Sequence, residues 1–444
     1  MAQKYRITFQ SYNDKNPKLV IKETVLLEDE VKLPSDCFDI SMGYSKQLTL
    51  IQGSQDCVLE QTATLINQEK KDCPNCQKRL HKFGSQKSTL HDVLTDHKVT
   101  IKRLKCRSCG YEEPSTIRKL IGTVQTGDLK RVQTKLGSNM PYRESRETLE
   151  LFSNADREIN NHDRIKKVTE SVGKVIGEMN KVEKEIAVAE EAETIILNVD
   201  GGHINTTEPE KRSMEAMTTV IYRPESLVPN DLDTRRYLTS KSCAASVKKD
   251  NQEEIISGTL IAALKQGLTE NTHVVALCDG ASNCWNVVES LRSLCGKMTC
   301  ILDWFHLAMK IQNISLPEKQ KNKLIRVKWH LWRGNIDNAL VRLNQLIESS
   351  KNETHILRLK KLLTYISNNR KKIINYRDRQ KSGLVFTSNL AESTVESLIN
   401  QRCKGQQHMR WSREGLNPIL QLRAAINSKS SGGIDWRTAI LNAA

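Results

Sequence analysis

Three aspartates each follow a short apolar run rich in Val, Ile or Leu. The runs and their acids are Ile195–Val199 with Asp200, Val274–Cys278 with Asp279, and Thr299–Leu302 with Asp303. Runs of this kind are typical of buried strands, and an acid at the end of such a strand is costly to bury unless it binds a cation. A fourth acid, Glu392, lies late in the chain. The four acids together predict a magnesium site.

A second group of residues has the spacing of zinc ligands. Cys73 and Cys76 form one Cys-x-x-Cys pair, and Cys106 and Cys109 form another, which Gly110 follows. Four thiolates in two such turns can close a tetrahedral zinc site, and a glycine after the second pair permits the left-handed backbone that such turns use. Three histidines between the pairs are left out because four cysteines complete the site: His81, His91 and His97.

The charge of the chain indicates a polyanionic partner. The 444 residues carry a formal charge of +16 with a pI near 9.2, and residues 310–381 alone hold 18 Lys or Arg against 5 Asp or Glu. Such an excess binds nucleic acid by releasing counterions from phosphates. A solvated helical surface is the alternative interpretation of this segment. No stretch is apolar enough to span a membrane, so we expect a soluble, cytoplasmic protein whose twelve cysteines are reduced or bind metal.

The segments before Asp200 predict three regions. Residues 1–70 contain short alternating segments such as 46–51, which a turn at Gly53-Ser54 would close, and predict a small β-rich domain. Residues 71–113 correspond to a zinc ribbon. Residues 114–190 show helical spacing, for example over 142–149 and 165–172. A helix-turn-helix DNA reader and a plain helical spacer or dimerisation element fit this last region equally well.

The acids and the elements around them occur in the order of an RNase H-like α/β fold. A strand with an acid is followed by a further strand at 217–222, a helix around 254–264, two more strands with acids, and a late helix bearing Glu392. Phosphoryl transfer on DNA uses such acids to hold two metal ions about 3.5–4 Å apart. Glu392 has a rival role as a capping-box residue behind Asn389, in which case Glu396, one turn later, is the alternative acid.

Four short motifs carry a resemblance to a known family. They are Val199-Asp200-Gly201-Gly202, Cys278-Asp279-Gly280-Ala281, Leu302-Asp303-Trp304-Phe305-His306 and Asn389-Leu390-Ala391-Glu392-Ser393. At these motifs the chain resembles the DDE transposases of bacterial insertion sequences, in particular the Kra-type group within the Mutator-like superfamily. The resemblance runs through about residues 70–427 and includes the cysteine pairs and the segment 406–412.

The resemblance assigns roles to these residues. It implies that Asp200, Asp279 and Glu392 bind the catalytic Mg²⁺ or Mn²⁺, and that Asp303 and His306 form a Cys/Asp-x-x-His motif that either contacts DNA or holds the site in shape. It further implies a catalytic domain divided into 191–306 and 386–427 by a basic helical insertion at 307–385, with a tail at 428–444. Trp329 and Trp332 in that insertion fit core positions better than base-stacking positions, and Arg410 and Arg413 could lie along phosphates or on a plain surface helix.

The sequence therefore predicts a DDE transposase that cleaves double-stranded DNA at the ends of its element and joins the 3′-hydroxyl to target DNA. We expect a homo-oligomer on DNA in the bacterial cytoplasm, associated with the nucleoid, with structural Zn²⁺ and no membrane partner. A nuclease without strand transfer, a transposase-derived DNA-binding protein and an RNA-binding zinc protein are the alternatives.

Overall fold

The computed structural model describes residues 3–13, 16–37, 40–113, 124–153, 156–182, 190–229, 236–388, 393–404, 409–428 and 433–443. The chain forms two compact units. The first comprises Met1–Val172 together with Trp436–Ala444, and the second comprises Gly173–Asp435. Within the described ranges, no helix is both long enough and apolar enough to cross a membrane.

The first unit begins with a hairpin and a long helix. Strands β1 (Gln3–Asn13) and β2 (Asn16–Val31) pair antiparallel, and helix α1 (Tyr44–Gln68) follows. The predicted strand at 46–51 and its turn at Gly53-Ser54 are therefore wrong, because both lie inside α1. The local alternation was misleading, since contacts distant in sequence decide the structure: Ala63 of α1 packs against Val99 and Ile101.

A three-stranded antiparallel sheet and a group of helices complete this unit. The sheet contains β3 (His81–His91), β4 (Asp96–Lys105) and β5 (Glu112–Glu113). The helices are α2 (Gly127–Asn139), α3 (Tyr142–Phe152), the 3₁₀ turn Glu158–Asn160 and α4 (His162–Val182), which runs on into the second unit. The helical prediction for this region is confirmed over these spans. The predicted tail contains α14 (Trp436–Asn442), whose Ile440 is buried near Gly127 of α2.

A five-stranded mixed sheet forms the centre of the second unit. Its strands are β6 (Thr194–Asn205), β7 (Ser213–Tyr222), β10 (Ser242–Ser246), β11 (His273–Cys278) and β12 (Lys297–Leu302). They lie in the order β10-β7-β6-β11-β12. β11 runs parallel to β6 and β12, whereas β7 is antiparallel to β6 and β10. The 3₁₀ turn Pro224–Ser226 and a small hairpin, β8 (Leu227–Pro229) with β9 (Arg236–Leu238), connect β7 to β10. The mixed α/β class predicted from the sequence is confirmed.

Helices cover both faces of this sheet. On one face, α5 (Glu253–Leu264) and α6 (Ser282–Glu289) enclose a core that includes Leu197 and Ala276. The 3₁₀ turn Arg292–Leu294 leads from α6 to β12. On the other face, Ile196 and Leu277 belong to a core shared with the helices that follow β12. The strands β6 and β11 therefore have an apolar core on each side, which explains the apolar runs that precede Asp200 and Asp279.

The helices after β12 pack onto the sheet instead of forming a separate body. They are α7 (Trp304–Gln312), α8 (Glu318–Trp332), α9 (Ile336–Glu348), α10 (Glu353–Asn368), the 3₁₀ turn Arg370–Lys372 and α11 (Tyr376–Lys381). Leu343 and Leu359 are fully buried in the same core as Ile301 of β12. After this segment come a π-helical turn (Glu396–Asn400), α12 (Gln401–Cys403) and α13 (Arg413–Asn427).

This shared core predicts that the insertion contributes to the stability of the whole second unit. Leu343 is 0% exposed on α9, so Leu343→Ala should lower the free energy of unfolding by about 2–5 kcal/mol. Urea unfolding followed by circular dichroism measures this change. Val341 on the same helix is 55% exposed, so Val341→Ala should change it by less than about 0.5 kcal/mol. Equal effects of the two substitutions would contradict the packing described.

Candidate active site and metal centre

The register of the sheet brings the three strand-end aspartates side by side. Val199 of β6 pairs with Cys278 of β11, and Cys278 pairs with Leu302 of β12. The next residue of each strand is an aspartate, so all three acids start from the same edge. Asp279 and Asp303 directly follow their strands, as predicted. Asp200 does not end β6, because pairing with β7 continues to Asn205; it marks the point where pairing with β11 stops.

These acids border one small cavity. It has a volume of about 50 Å³, which is room for a few water molecules at about 10–15 Å³ each. Its lining residues are Asn198, Val199, Asp200, Leu277, Cys278, Asp279, Asp303, His306, Ser388 and Val395. Four of the five predicted catalytic residues are thus brought together.

In Asp200 and in Asp279, one carboxylate oxygen accepts a hydrogen bond from a backbone amide. Oδ1 of Asp200 accepts a hydrogen bond from the amide of Gly201 at 2.8 Å, and Oδ1 of Asp279 accepts one from the amide of Ala281 at 2.9 Å. Among the described residues, the second oxygen of Asp200 has no hydrogen-bond donor, and the thiol of Cys284, a weak donor, interacts with the carboxylate of Asp279. One fixed and one available oxygen suit a carboxylate that binds a cation.

Asp303 differs from these two acids because both of its oxygens are occupied. It is 1% exposed and caps α7 by accepting from the amides of Phe305 and His306, each at 3.3 Å. It also accepts from the amide and the hydroxyl of Ser388, at 2.8 and 2.7 Å. These bonds tie the segment after the insertion to the end of β12. Of the two roles considered for Asp303, the geometry favours the one that holds the site in shape.

Burial and neighbouring charges act on the Asp200 carboxyl. Burial raises its pKa above the usual 3.8, and the charges of Asp279 and Asp303 raise it further, while His306 and the Gly201 amide oppose the shift. His306 is 30% exposed, and its Nε2 lies 3.7 Å from Oδ2 of Asp303. Three acids and one imidazole therefore share a poorly solvated space, in which a bound cation would relieve the repulsion between the carboxylates.

The insertion supports the backbone that carries the acids. The Tyr365 hydroxyl donates to the carbonyl of Asp279 at 2.5 Å, and the Tyr376 hydroxyl donates to the carbonyl of Leu302 at 2.7 Å. Gly280 has a φ of +94°, and a Cβ there would lie 2.8 Å from Tyr365. This close approach, together with the positive φ, explains why glycine follows Asp279. Sequence reasoning did not identify the two tyrosines, because they lie more than seventy residues from the carbonyls that they bind.

Glu392 lies outside the described residues, as does its proposed cap, Asn389. Ser388, directly before this gap, and Val395, shortly after it, both line the cavity. Glu396, the alternative acid, is exposed, does not line the cavity, and accepts a hydrogen bond from Asn400. The geometry of the described residues therefore does not favour Glu396.

The insertion carries a dense set of exposed cations. Residues 307–385 are all described, and most of their Lys and Arg side chains are exposed. One ion pair in this segment joins a cation to an acid, Arg370 with Asp337 at 2.5 Å. Trp332 packs against Trp304 and Tyr376, as predicted for a core position. The same prediction is wrong for Trp329, which is 48% exposed on α8.

The segment around Trp411 takes part in packing and ion pairing, whereas the sequence also allowed it to lie along DNA phosphates. Trp411 is 7% exposed and lies in a core with Leu416. Arg413 pairs with Glu208 at 2.5 Å. Hydrogen bonds from Lys211 and Arg413 lower the pKa of Glu208 to about 2. Arg413 is therefore engaged in holding α13. Arg410 is exposed, and residues 406–408 lie outside the described part of the chain.

The four cysteines of the first unit form one cluster. Their sulfur atoms all lie within 4.8 Å of one another, with Cys73 to Cys109 and Cys76 to Cys106 each at 3.4 Å. Tetrahedral zinc with bonds of about 2.3 Å would place such sulfurs about 3.8 Å apart. The cluster therefore fits a structural metal ion.

The turns around these cysteines have the backbone that metal binding requires. Gly110 has a φ of +77°, as the sequence predicted, and Gln77 takes a φ of +58° after the first pair. The amides of Cys109 and Ser108 lower the pKa of the Cys106 thiol to about 6, whereas the neighbouring thiols raise the pKa values of Cys76 and Cys109. His91 and His97 instead bond Asp96 and Asp56, at 2.7 and 2.8 Å.

The two sites differ in the metal they suit. The cavity beside β6 offers hard carboxylate oxygens, which match Mg²⁺ or Mn²⁺, whereas four thiolates match zinc. The chemistry of each donor set therefore agrees with the metal predicted for it.

A mixed α/β unit with paired acids at the ends of parallel strands is a broad class. Within it, the chain belongs to the uncharacterised protein family UPF0236, which matches residues 131–442. The match covers the acid cavity and the insertion and begins after the four cysteines. No curated protein matches the chain.

The raised pKa of Asp200 predicts how stability depends on pH without metal. Stability from the protonated carboxyl is fully present below pH 3.8, the unfolded value, and is lost as pH rises through the raised folded pKa. Asp200→Asn should therefore raise the melting temperature in EDTA at pH 7–8 and have little effect near pH 3.8. Differential scanning fluorimetry across this pH range measures the difference.

The same variant should lose stabilisation by metal. Wild-type protein at a Mg²⁺ concentration of 100 times Kd should gain about 2.7 kcal/mol, and Asp200→Asn should gain much less. Asp337→Asn, at an acid whose side chain is 79% exposed, is the control and should behave as wild type. A melting temperature of Asp200→Asn below that of wild type in EDTA at pH 8 would contradict the burial described.

The cysteine cluster predicts one tightly bound zinc per chain. Cys106→Ser removes a thiolate ligand, so zinc measured by mass spectrometry after gel filtration should fall from about one ion per chain to near zero. Cys37, an exposed cysteine outside the cluster, gives the matched control Cys37→Ser, which should retain the zinc. Equal zinc content in both variants would exclude the cluster as the binding site.

Proposed function

We propose that the protein is a DDE transposase whose second unit is an RNase H-like catalytic domain. The observation that carries the proposal is the cavity that Asp200 and Asp279, from adjacent parallel strands, line together, and at which one oxygen of Asp200 has no donor among the described residues. In chain order the sheet reads 3-2-1-4-5, with the second strand antiparallel, and this supports an RNase H-like domain. The resemblance of the four motifs to those of DDE transposases indicates the reaction, which is the cleavage and joining of DNA strands.

In this proposal Asp200, Asp279 and Glu392 hold two Mg²⁺ or Mn²⁺ ions. When bound, such ions activate the attacking oxygen and stabilise the leaving oxygen of a phosphodiester. The protein positions the reacting groups: Tyr365 fixes the backbone of Asp279, and Asp303 fixes the segment that leads to Glu392. His306 faces the same cavity and would contact the DNA near the scissile phosphate. Positioning and charge stabilisation then provide most of the rate.

The exposed cations of residues 307–385 would bind the DNA backbone. Because few acids neutralise them, they present a field that attracts phosphates. The exposed Trp329 lies on the same segment. The four-cysteine cluster would be a zinc ribbon that, with the helices after it, contributes to recognising the ends of the element. An assembly of two or more copies would bring the two ends together.

A plasmid carrying the gene with its native flanking DNA tests this proposal. Purified protein is incubated with the plasmid in Mg²⁺ or in EDTA, and the product ends are sequenced. Cuts at defined flanking positions, followed by joined products, are expected in Mg²⁺ but not in EDTA. Asp279→Asn should reduce cutting by about 10³-fold or more, because it removes several kcal/mol of metal-based stabilisation.

The control is Glu270→Gln, at an exposed acid in the turn before β11, and it should cut as wild type does. Cutting without joining would indicate a nuclease. Binding of the flanking DNA without cutting would contradict the enzymatic proposal and leave a DNA-binding protein, and a preference for RNA would leave an RNA-binding zinc protein.

A further inference from the structure

One face of β6 is polar where its neighbours in the strand are apolar. Residues on this face alternate along the strand, and they read Ile196, Asn198, Asp200, Gly202 and Ile204. Ile196 lies in the core beneath the insertion, and Ile204 lies in the core beneath α13. Asn198 and Asp200 therefore lie between two apolar cores, and both line the cavity.

Asn198 is a buried amide directed at this cavity. It is 3% exposed, and it lines the cavity together with Asp200, two residues further along the same face. Neither Oδ1 nor Nδ2 has a hydrogen-bond partner among the described residues. The Tyr222 hydroxyl interacts with this amide: burial raises the pKa of Tyr222 to about 12, and Asn198 partly opposes that shift. The geometry of this contact is not that of a hydrogen bond.

A buried amide without partners is costly, and an apolar residue would fit the adjoining core without that cost. We infer that Asn198 is a positioning residue for the metal site: its amide binds a water in the cavity that also bonds the Asp200 carboxylate. This inference rests on the proposed function, because it requires a divalent ion at Asp200 and Asp279. Partners of ligating carboxylates commonly change metal affinity when they are replaced.

Manganese binding to the purified, zinc-loaded protein tests the inference without measuring catalysis. Free Mn²⁺ is followed by electron paramagnetic resonance, and melting temperatures are recorded in EDTA. Asn198→Leu should bind Mn²⁺ about 10–100-fold more weakly than wild type. Its melting temperature in EDTA should equal or exceed that of wild type, because the apolar side chain removes the unbonded amide.

A matched pair of smaller variants keeps the test decisive if the leucine does not fit. Asn198→Ser and Asn198→Ala leave similar space and differ by one hydroxyl. The serine variant should retain Mn²⁺ affinity within about threefold, and the alanine variant should lose about tenfold or more. Asn344→Leu, at an exposed asparagine of α9, should bind Mn²⁺ as wild type does.

Two further outcomes separate the inference from the function on which it rests. If wild type binds Mn²⁺ more tightly than Asp279→Asn, but all Asn198 variants bind as wild type does, Asn198 has a structural role only and the inference is overturned. If wild type and Asp279→Asn bind Mn²⁺ alike, the metal site itself is absent, and the proposed function fails together with the inference.

Discussion

The crowding of carboxylates at the edge of a buried sheet is the constraint on which the second unit depends. Parallel pairing of β6, β11 and β12 brings Asp200, Asp279 and Asp303 to the same edge, and burial together with the two neighbouring carboxylates raises the pKa of Asp200. The structure relieves this in two ways. Asp303 is saturated with hydrogen bonds from α7 and Ser388, whereas Asp200 and Asp279 retain oxygens that a cation could use.

The insertion has two roles that its sequence presents together. Its buried face shares a core with the sheet, and its tyrosines bond the carbonyls that follow β11 and end β12. Its exposed face carries most of the excess positive charge. Because one set of helices does both, binding of a polyanion to the exposed face would act on elements that contact the acid-bearing backbone directly.

Much of this arrangement could be predicted from the sequence, and the failures share a cause. The strands before Asp279 and Asp303, the helix at 253–264 and the four-cysteine cluster follow from local patterns. The strand predicted at 46–51 and the core position predicted for Trp329 are wrong, because contacts distant in sequence decide both. The partners of Asp303 and the support from Tyr365 could not be predicted for the same reason.

The most direct test of the central claim is diffraction from crystals soaked in Mn²⁺, with anomalous data that locate the metal. An anomalous peak within coordination distance of Asp200 and Asp279, displaced from Asp303, is the result that we expect. Such a peak would identify the cavity as a metal site whose ligands are the two acids with available oxygens. A cavity without a peak at saturating Mn²⁺, in crystals whose Asp200 and Asp279 are well ordered, would contradict the account.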